Sequence, residues 1–249
     1  MHVNVEELSI NAWPALETMV DDGWLLRFAD GYTKRANSVY PLYPPAGDLE
    51  QKIAACERHY GSKKLPTIFK MTPYSQPAKL DALLEERGYK LFADTSVQMV
   101  SLAAMTAPAM HTVQIYEECA DEWVDVFCRL SEKDEREKQT MTQTLRKIIP
   151  ACCYAVLYAE GEVVACGIGV LEREHIGLYD IVTAPSHRKR GYGEQLVLNI
   201  LQWGIERGAK HSYLQVVVDN IPALRLYEKL GYQEIYPYWY RIKEQECST

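Results

Sequence analysis

Several things are missing from this chain of 249 residues, and each absence removes a class of function. It has no excess of positive charge: 27 Lys and Arg stand against 34 Asp and Glu, a net charge of −7. A broad nucleic-acid surface needs a basic face, so DNA or RNA is not expected as a partner. No apolar run is long enough for a bilayer. The longest, "ACCYAVLYA" at 151–159, is less than half the roughly 20 residues that a spanning helix requires. The opening "MHVNVEELSI" carries acids and no apolar core, so it does not read as a signal peptide. The seven cysteines (Cys56, Cys119, Cys128, Cys152, Cys153, Cys166 and Cys247) form no CxxC pair and are odd in number, which points to reduced thiols and a cytoplasmic location. The six histidines are scattered, with no partner at ligand spacing, so no metal site is expected. Glycine-rich nucleotide motifs are absent too. The loop at Gly191 and Gly193 lacks the third glycine of a dinucleotide fingerprint, and nothing in it ends in GK[ST], which argues against NAD and ATP.

What is present is that loop itself, "APSHRKRGYGEQLV" at 184–197. Pro185 stops a strand. Gly191 and Gly193 permit positive φ or close approach of a ligand to the backbone. The residues after them open a helix whose first N–H groups lack intrahelical acceptors and whose dipole favours negative charge. Arg188, Lys189 and Arg190 add positive charge at the rim. Such a loop cradles a phosphate.

Around it the periodicity predicts a mixed α/β domain in the order α–α–β–β–β–α–β–α–β. "DEWVDVFCRLSE" (121–132) and the charged run to Pro150 read as helices, and "CYAVLYAEGEVVACGIGV" as a hairpin turning at Glu160–Gly161. "HIGLYDIVTAP" (175–185) is the strand before the loop, residues 194–207 the helix after it, and "HSYLQVVV" (211–218) the next strand. Asn220 caps a short helix with Pro222 in its first turn and Gly231 at its end. "YQEIYPYWYRI" is a last strand or strand pair.

The first half resembles the second. With Gly88–Tyr89 set on Gly231–Tyr232, "LDALLEERGYKL" (80–91) lies under "LRLYEKLGYQEI" (224–235). At the same offset the helix "LEQKIAACERHYG" (49–61) falls under the helix after the loop, and "TKRANSVYPL", read as a strand, falls under "GLYDIVTAP". This suggests a duplicated domain that has lost its chemistry. The first half has "YPPAGD" where the second has "SHRKRGYGE", and Leu84 stands where Tyr227 stands. Between them, "SLAAMTAPAMHT" (101–112) reads as a linker.

"IVTAPSHRKRGYGEQLV" resembles the acetyl-CoA-binding signature, R/Q-x-x-G-x-G/A, of the GNAT superfamily of N-acetyltransferases, and "DNIPALRLYEKLGYQEI" resembles that superfamily's second signature. The resemblance covers about residues 113–249, and the stretch "AWPALETMVDDGWLLRFADGYTKRANSVYPL" looks like the leading half of tandem GNAT proteins. It implies a GNAT fold, a mixed central sheet flanked by helices, in two tandem copies: a degenerate domain at 1–105 and a catalytic, acetyl-CoA-binding domain at 113–249. It further implies that the backbone of Val182 and Thr183 pairs with the pantetheine arm. Arg188, Lys189, Arg190, Gly191, Tyr192, Gly193 and Glu194, at the helix start, would hold the pyrophosphate, and Asn220 would bond the cofactor arm. Tyr227 matches the family's tyrosine, the acid that protonates the departing thiolate. For the general base, Asp180 on the central strand is the candidate, acting directly or through a water; Glu172 and Glu174 read as turn residues. Cys166, mid-strand with no nearby histidine, reads as a small buried hydrophobe rather than a nucleophile.

The expected activity is therefore acetyl transfer from acetyl-CoA to a primary amine in a ternary complex. The alternative is a non-catalytic acyl-CoA sensor or scaffold. The acceptor itself is not readable. The resemblance implies that it lies between about residues 129–146 and 234–241, where acids and the aromatics Tyr236, Tyr238, Trp239 and Tyr240 would suit a cationic amine, although "SEKDEREK" equally reads as a solvated helix face. Oligomeric state is not readable.

Overall fold

A computed structural model describes residues 5–245, so Cys247 lies outside the described residues. In chain order the elements are α1 (Val5–Ala12), β1 (Glu17–Asp21), β2 (Trp24–Phe28), a 3-10 turn (Lys34–Ala36), β3 (Val39–Pro41), α2 (Leu49–Ser62), β4 (Thr67–Met71), α3 (Leu80–Glu86) and β5 (Lys90–Ser101). Then follow β6 (Val113–Tyr116), α4 (Asp121–Ser131), α5 (Glu135–Leu145), β7 (Ala151–Ala159), β8 (Glu162–Glu172), β9 (His175–Thr183), a 3-10 turn (Pro185–His187), α6 (Tyr192–Glu206), β10 (His211–Val217), α7 (Ile221–Lys229) and β11 (Gln233–Lys243). They form two compact units, one of Met1–Pro14 with Val97–Ile235, the other of Ala15–Ser96 with Tyr236–Thr249.

In the first unit, β6, β7, β8 and β9 pair antiparallel in series, and β10 lies parallel to β9. The Glu160–Gly161 turn joins β7 to β8 with both residues at positive φ, as a two-residue hairpin turn of matching twist requires. Alternate residues of β7 serve two faces. Cys153, Ala155 and Leu157 enter the core with Leu196, Val197 and Ile200 of α6, whereas Tyr154 packs edge-on against Trp123 of α4. α4 stops at Glu132, in a left-handed conformation, and α5 starts at Asp134, whose carboxylate and that of Glu137 form a reciprocal capping box. The segment expected as a linker is fastened to α6. Gln195 Oε1 accepts from the Ala109 and Met110 amides at 2.8 and 2.9 Å, and Asn199 Nδ2 donates to Met110 O at 2.8 Å.

In the second unit, β1 and β2 form a hairpin, β3 runs parallel to β4 at Val39↔Phe69, and β11 pairs antiparallel with β4 from Trp239↔Met71 to Lys243↔Thr67. Helices α2 and α3 supply Leu49, Ile53, Cys56, Tyr60, Leu80 and Leu84 to a core with Trp24, Leu26, Val39 and Phe69. The series β3, α2, β4, α3 repeats β9, α6, β10, α7 of the first unit, with a parallel strand pair in each.

One expectation is corrected. "TKRANSVYPL" is not a strand throughout; only Val39–Pro41 is. The Asn37 side chain accepts from the Ala29 and Gly31 amides at 2.7 and 3.0 Å and donates to Thr33 O at 2.7 Å. It thereby holds the preceding residues in a closed turn.

Candidate active site

The site is built where β9 leaves its parallel neighbour. Pairing of β9 with β10 runs from His175↔His211 to Leu178↔Leu214 and, among the described residues, stops there. Both strands continue, β9 to Thr183 and β10 to Val217, so the two form a fork. On its other side β9 stays paired with β8, through Cys166↔Val182 and Ala165↔Thr183. Between Ile168↔Tyr179 and Cys166↔Val182 the strand β9 carries one residue more than β8, and Asp180 sits there with φ of 49°. This is a β-bulge, which re-aims side chains at the point where the fork opens.

From Thr183 the chain turns through Pro185–His187 into the basic loop. Arg188 Nε donates to Thr183 O at 3.4 Å, and Arg188, Lys189 and Arg190 are exposed. Lys189 and Gly191 are left-handed, with φ of 63° and 83°, and flank Arg190, an alternation that curls successive amides towards a common centre. Gly191 is the N-cap of α6 and brings no side chain to the helix start. Glu194, the acid of the first turn, is held by Lys229 Nζ of α7 at 2.5 Å. A Cβ on Gly193 would lie 3.0 Å from Thr183 Oγ1 and 3.7 Å from Leu226 Cδ2. The end of β9, the start of α6 and the middle of α7 therefore meet at one place.

Helix α7 begins at Asn220, whose Oδ1 accepts from the Ala223 amide at 3.3 Å, with Pro222 in its first turn. One turn beyond Ala223, Tyr227 is buried and packs edge-on against Tyr232, with ring centroids 5.6 Å apart. Burial pushes the Tyr227 phenol up to about 12, so it keeps its proton at neutral pH. Cys166 is fully buried, and burial, with the charge of Asp180 next in weight, pushes its thiol up. A thiol so placed is unreactive.

The structure thus brings Val182, Thr183, the Arg188–Glu194 loop and α7 together. Asp180 lies beside Cys166, and Tyr227 lies against Tyr232. Glu172 and Glu174 are at the β8–β9 turn; Asn11 Nδ2 donates to Glu172 at 3.1 Å, and Lys210 Nζ reaches Glu174 at 2.6 Å. The aromatics expected to offer an acceptor surface do not. Tyr236, Tyr238 and Tyr240 are buried, because β11 pairs with β4 and turns alternate side chains inward. Tyr238 packs under Lys70, whose Nζ is 4.1 Å from the ring centroid, and Trp239 Nε1 donates to Asp81 at 2.7 Å.

Sequence reasoning missed Ser9, Trp13, Tyr179, Tyr213 and Gln215 at the fork. The signal was the stripe in "VEELSINAW", where Val5, Leu8, Ser9, Ala12 and Trp13 are buried at helical spacing, with Glu6 buried beside them. Among the described residues, no group of three or more His, Cys, Asp or Glu is placed to hold a metal ion. Among the same residues, no helix is long and apolar enough to cross a membrane.

Comparison with known proteins bears on this geometry. Residues 3–241 match the family described as probable histone acetyltransferase Rv0428c C-terminal. The chain is 30% identical over 245 residues to the uncharacterized N-acetyltransferase YobR of Bacillus subtilis (strain 168), covering 96% of this chain and 97% of that protein. Among solved structures it is similar to a GCN5-related N-acetyltransferase from Kribbella flavida, with a TM-score of 0.71 and 14% identity over 98% of this chain and 95% of the other. It is also similar to a tandem GNAT protein from the clavulanic acid biosynthesis pathway, with a TM-score of 0.66 and 14% identity over 100% of this chain and 90% of the other. At such identities these two structures show a shared fold.

Proposed function

Since the chain belongs to the GNAT superfamily of N-acetyltransferases, we propose that it transfers an acetyl group from acetyl-CoA to a primary amine, by direct attack in a ternary complex at the β9–β10 fork. The observation that carries this reading is the open start of α6. A left-handed glycine cap with no side chain, three exposed cations and a helix N-terminus converge beside the free end of β9, and that combination fits a pyrophosphate at one end of an extended arm.

In this reading the amides from Arg190 to Glu194 receive the pyrophosphate, with Arg188, Lys189 and Arg190 around it. The backbone of Val182 and Thr183 pairs with the pantetheine arm as an added strand would, and Asn220 bonds the arm beyond the fork. Acetyl-CoA supplies a thioester carbonyl: a bond forms from the amine nitrogen to that carbon, and the bond to sulfur breaks. Two protons need carriers. Asp180, aimed by its bulge, takes one from the amine directly or through a water, and Tyr227 gives one to the departing thiolate. Holding both reactants in the fork supplies rate by proximity. The division at 1–105 and 113–249 is then one of descent, the earlier half having lost its site, whereas the two compact units divide the chain by packing. Six described cysteines without a disulfide suit a cytoplasmic location.

The test is thiol release from acetyl-CoA with a panel of amino acids, polyamines, aminoglycosides and lysine peptides. Amine-dependent release supports the enzyme. Tight acetyl-CoA binding with no release for any amine, and none changed by Tyr227→Phe, would favour an acyl-CoA sensor.

A further inference from the structure

Helix α1 precedes every strand in sequence, yet it packs on the far end of the chain. Its buried stripe of Val5, Leu8, Ser9 and Ala12 continues into Trp13, whose amide donates to Ser9 O at 3.2 Å. Two members of that stripe make specific contacts with the fork. Ser9 is 1% exposed, and a hydroxyl on an apolar face costs stability unless it is bonded; its Oγ accepts from Gln215 Nε2 at 2.9 Å. Trp13, 2% exposed, stacks on Tyr179, with centroids 6.0 Å apart and ring planes at 22°. The positions of these partners are informative. The last paired residues of the parallel strands are Leu178 and Leu214, and Tyr179 and Gln215 are the next residue on each strand. Helix α1 thus grips both strands one residue past the point where they let go of each other.

The neighbouring contacts reinforce that grip. Tyr179 OH donates to Tyr213 OH at 3.0 Å. The Tyr213 ring reaches across β9 only because residue 177 is glycine, where a Cβ would lie 2.5 Å from Tyr213 Cζ and 2.7 Å from Tyr179 Cε2. Asp180, the bulged residue, follows Tyr179 directly. At its other side α1 is tied to the β8–β9 turn, through Asn11 to Glu172 at 3.1 Å and Glu7 to Arg173 at 3.9 Å.

We propose that Ser9, Trp13 and Gln215 are positioning residues that hold the fork open at a fixed width, α1 acting as a clamp on β9 and β10. Ladder pairing ends at Leu178↔Leu214, and the two side-chain contacts of α1 fall on the next residue of each strand, where backbone bonds no longer fix the spacing. The clamp sets the position of Tyr179 and so of Asp180. This rests on the fork being the reaction site; that the clamp holds the strands is a separate matter and is measured separately.

The experiment is amide hydrogen exchange on the full chain, unaltered and as Trp13→Ala, Trp13→Phe, Ser9→Ala, Gln215→Leu, the Ser9→Ala/Gln215→Leu double variant and Asn11→Ala, with thiol release from acetyl-CoA measured on each using the amine panel above. In Trp13→Ala, amides of 179–183 and 215–217 exchange about tenfold faster while those of 175–178 and 211–214 do not change, which is local rather than global opening. In the same variant kcat falls about 10- to 100-fold while the KM for acetyl-CoA stays within about threefold, since the loop at α6 is untouched. Trp13→Phe keeps a stacking ring and recovers most of kcat. Ser9→Ala lowers kcat about fivefold and Gln215→Leu at least as much, and the double variant falls short of the product of the two, because both remove the Ser9–Gln215 bond. Asn11→Ala, which keeps the Trp13–Tyr179 and Ser9–Gln215 contacts, leaves kcat unchanged. Uniform acceleration across paired and unpaired segments, or a loosened fork with unchanged kcat, would overturn the proposal. If the unaltered chain releases no thiol with any amine, the proposed activity fails instead, and the exchange pattern still decides whether α1 clamps the fork.

Discussion

Two helices of this chain begin just after a parallel strand, and the contrast between them bears on which half would carry the proposed chemistry. Helix α2 starts at Asp48, whose carboxylate accepts from the Gln51 amide at 2.9 Å. The loop before it is occupied as well, because Asp22 accepts from the amides of Ala46 and Gly47 at 3.0 and 3.4 Å. The Ala46 amide is the main cause holding the Asp22 carboxyl below its usual value. The half-buried pair Asp21–Lys52, at 3.2 Å, adds to the closure. The helix start in the first half is thus occupied by the chain's own carboxylates, and a phosphate would meet like charge there. Helix α6 starts at Gly191 with no side-chain cap and a rim of three cations. The aromatic positions differ in the same sense. Leu84 is an apolar core residue, while Tyr227, its counterpart by offset, brings a hydroxyl to a buried place, which is costly unless that hydroxyl is hydrogen-bonded. What a helix start binds therefore depends on whether the chain supplies the anion itself.

The strongest way to break this contrast is to give α6 what α2 has. Gly191→Asp places a carboxylate at the cap, in a left-handed conformation that aspartate tolerates better than most residues. Acetyl-CoA affinity should fall by about 100-fold, close to 2.8 kcal/mol, as read by calorimetry. Tyr227→Phe makes the second half more like the first at the proposed acid. Its kcat should drop about tenfold or more with acetyl-CoA affinity unchanged, a loss confined to the transition state. Arg188→Ala should weaken acetyl-CoA binding about fivefold at low salt and less at high salt, since this exposed charge is readily screened. The reverse change, Asp48→Ala, should cost about 1 kcal/mol of stability and lower the melting midpoint by roughly 2–4 °C. It should create no second acetyl-CoA site, because Asp22 still occupies the loop.

Acid should separate the two units by a smaller margin. Burial, and then the stacked His211 ring 5.1 Å away, keep His175 below its usual 6.5. The folded first unit favours neutral His175, so that stability is full above pH 6.5 and is lost as pH falls through that value. In the second unit the Arg241 guanidinium, bonded to Asp81 at 2.8 and 2.9 Å, holds that carboxyl below its usual 3.8. Its contribution is lost only at still lower pH. Hydrogen exchange measured from pH 7 to 4 should show the first unit loosening first, with His175→Phe flattening that response.

The parts that sequence made legible are local. The α7 cap at Asn220, the capping box at Asp134 and Glu137, the hairpin turn at Glu160–Gly161 and the glycine–arginine loop each declare themselves within a few residues. What stayed hidden depends on pairing between distant segments. The bulge at Asp180 exists only relative to β8, and nothing near Asp180 announces it. Residues 239–243 of β11 pair with β4, and residues 97–101 of β5 belong to the first unit, so each unit is completed by a segment from the other half of the chain. That exchange buries Tyr238 and Tyr240, which read as surface aromatics from spacing alone. Helix α1 was overlooked because its partners lie some 165 to 205 residues further on, at Tyr179 and Gln215, although its apolar stripe was visible.

The most direct test of the contrast between α2 and α6 is the stoichiometry of acetyl-CoA binding to the full chain, measured by titration calorimetry before and after Gly191→Asp. The account predicts one site per chain, lost or weakened about 100-fold by the substitution. Two sites, or a single site that survives Gly191→Asp at full affinity, would contradict it.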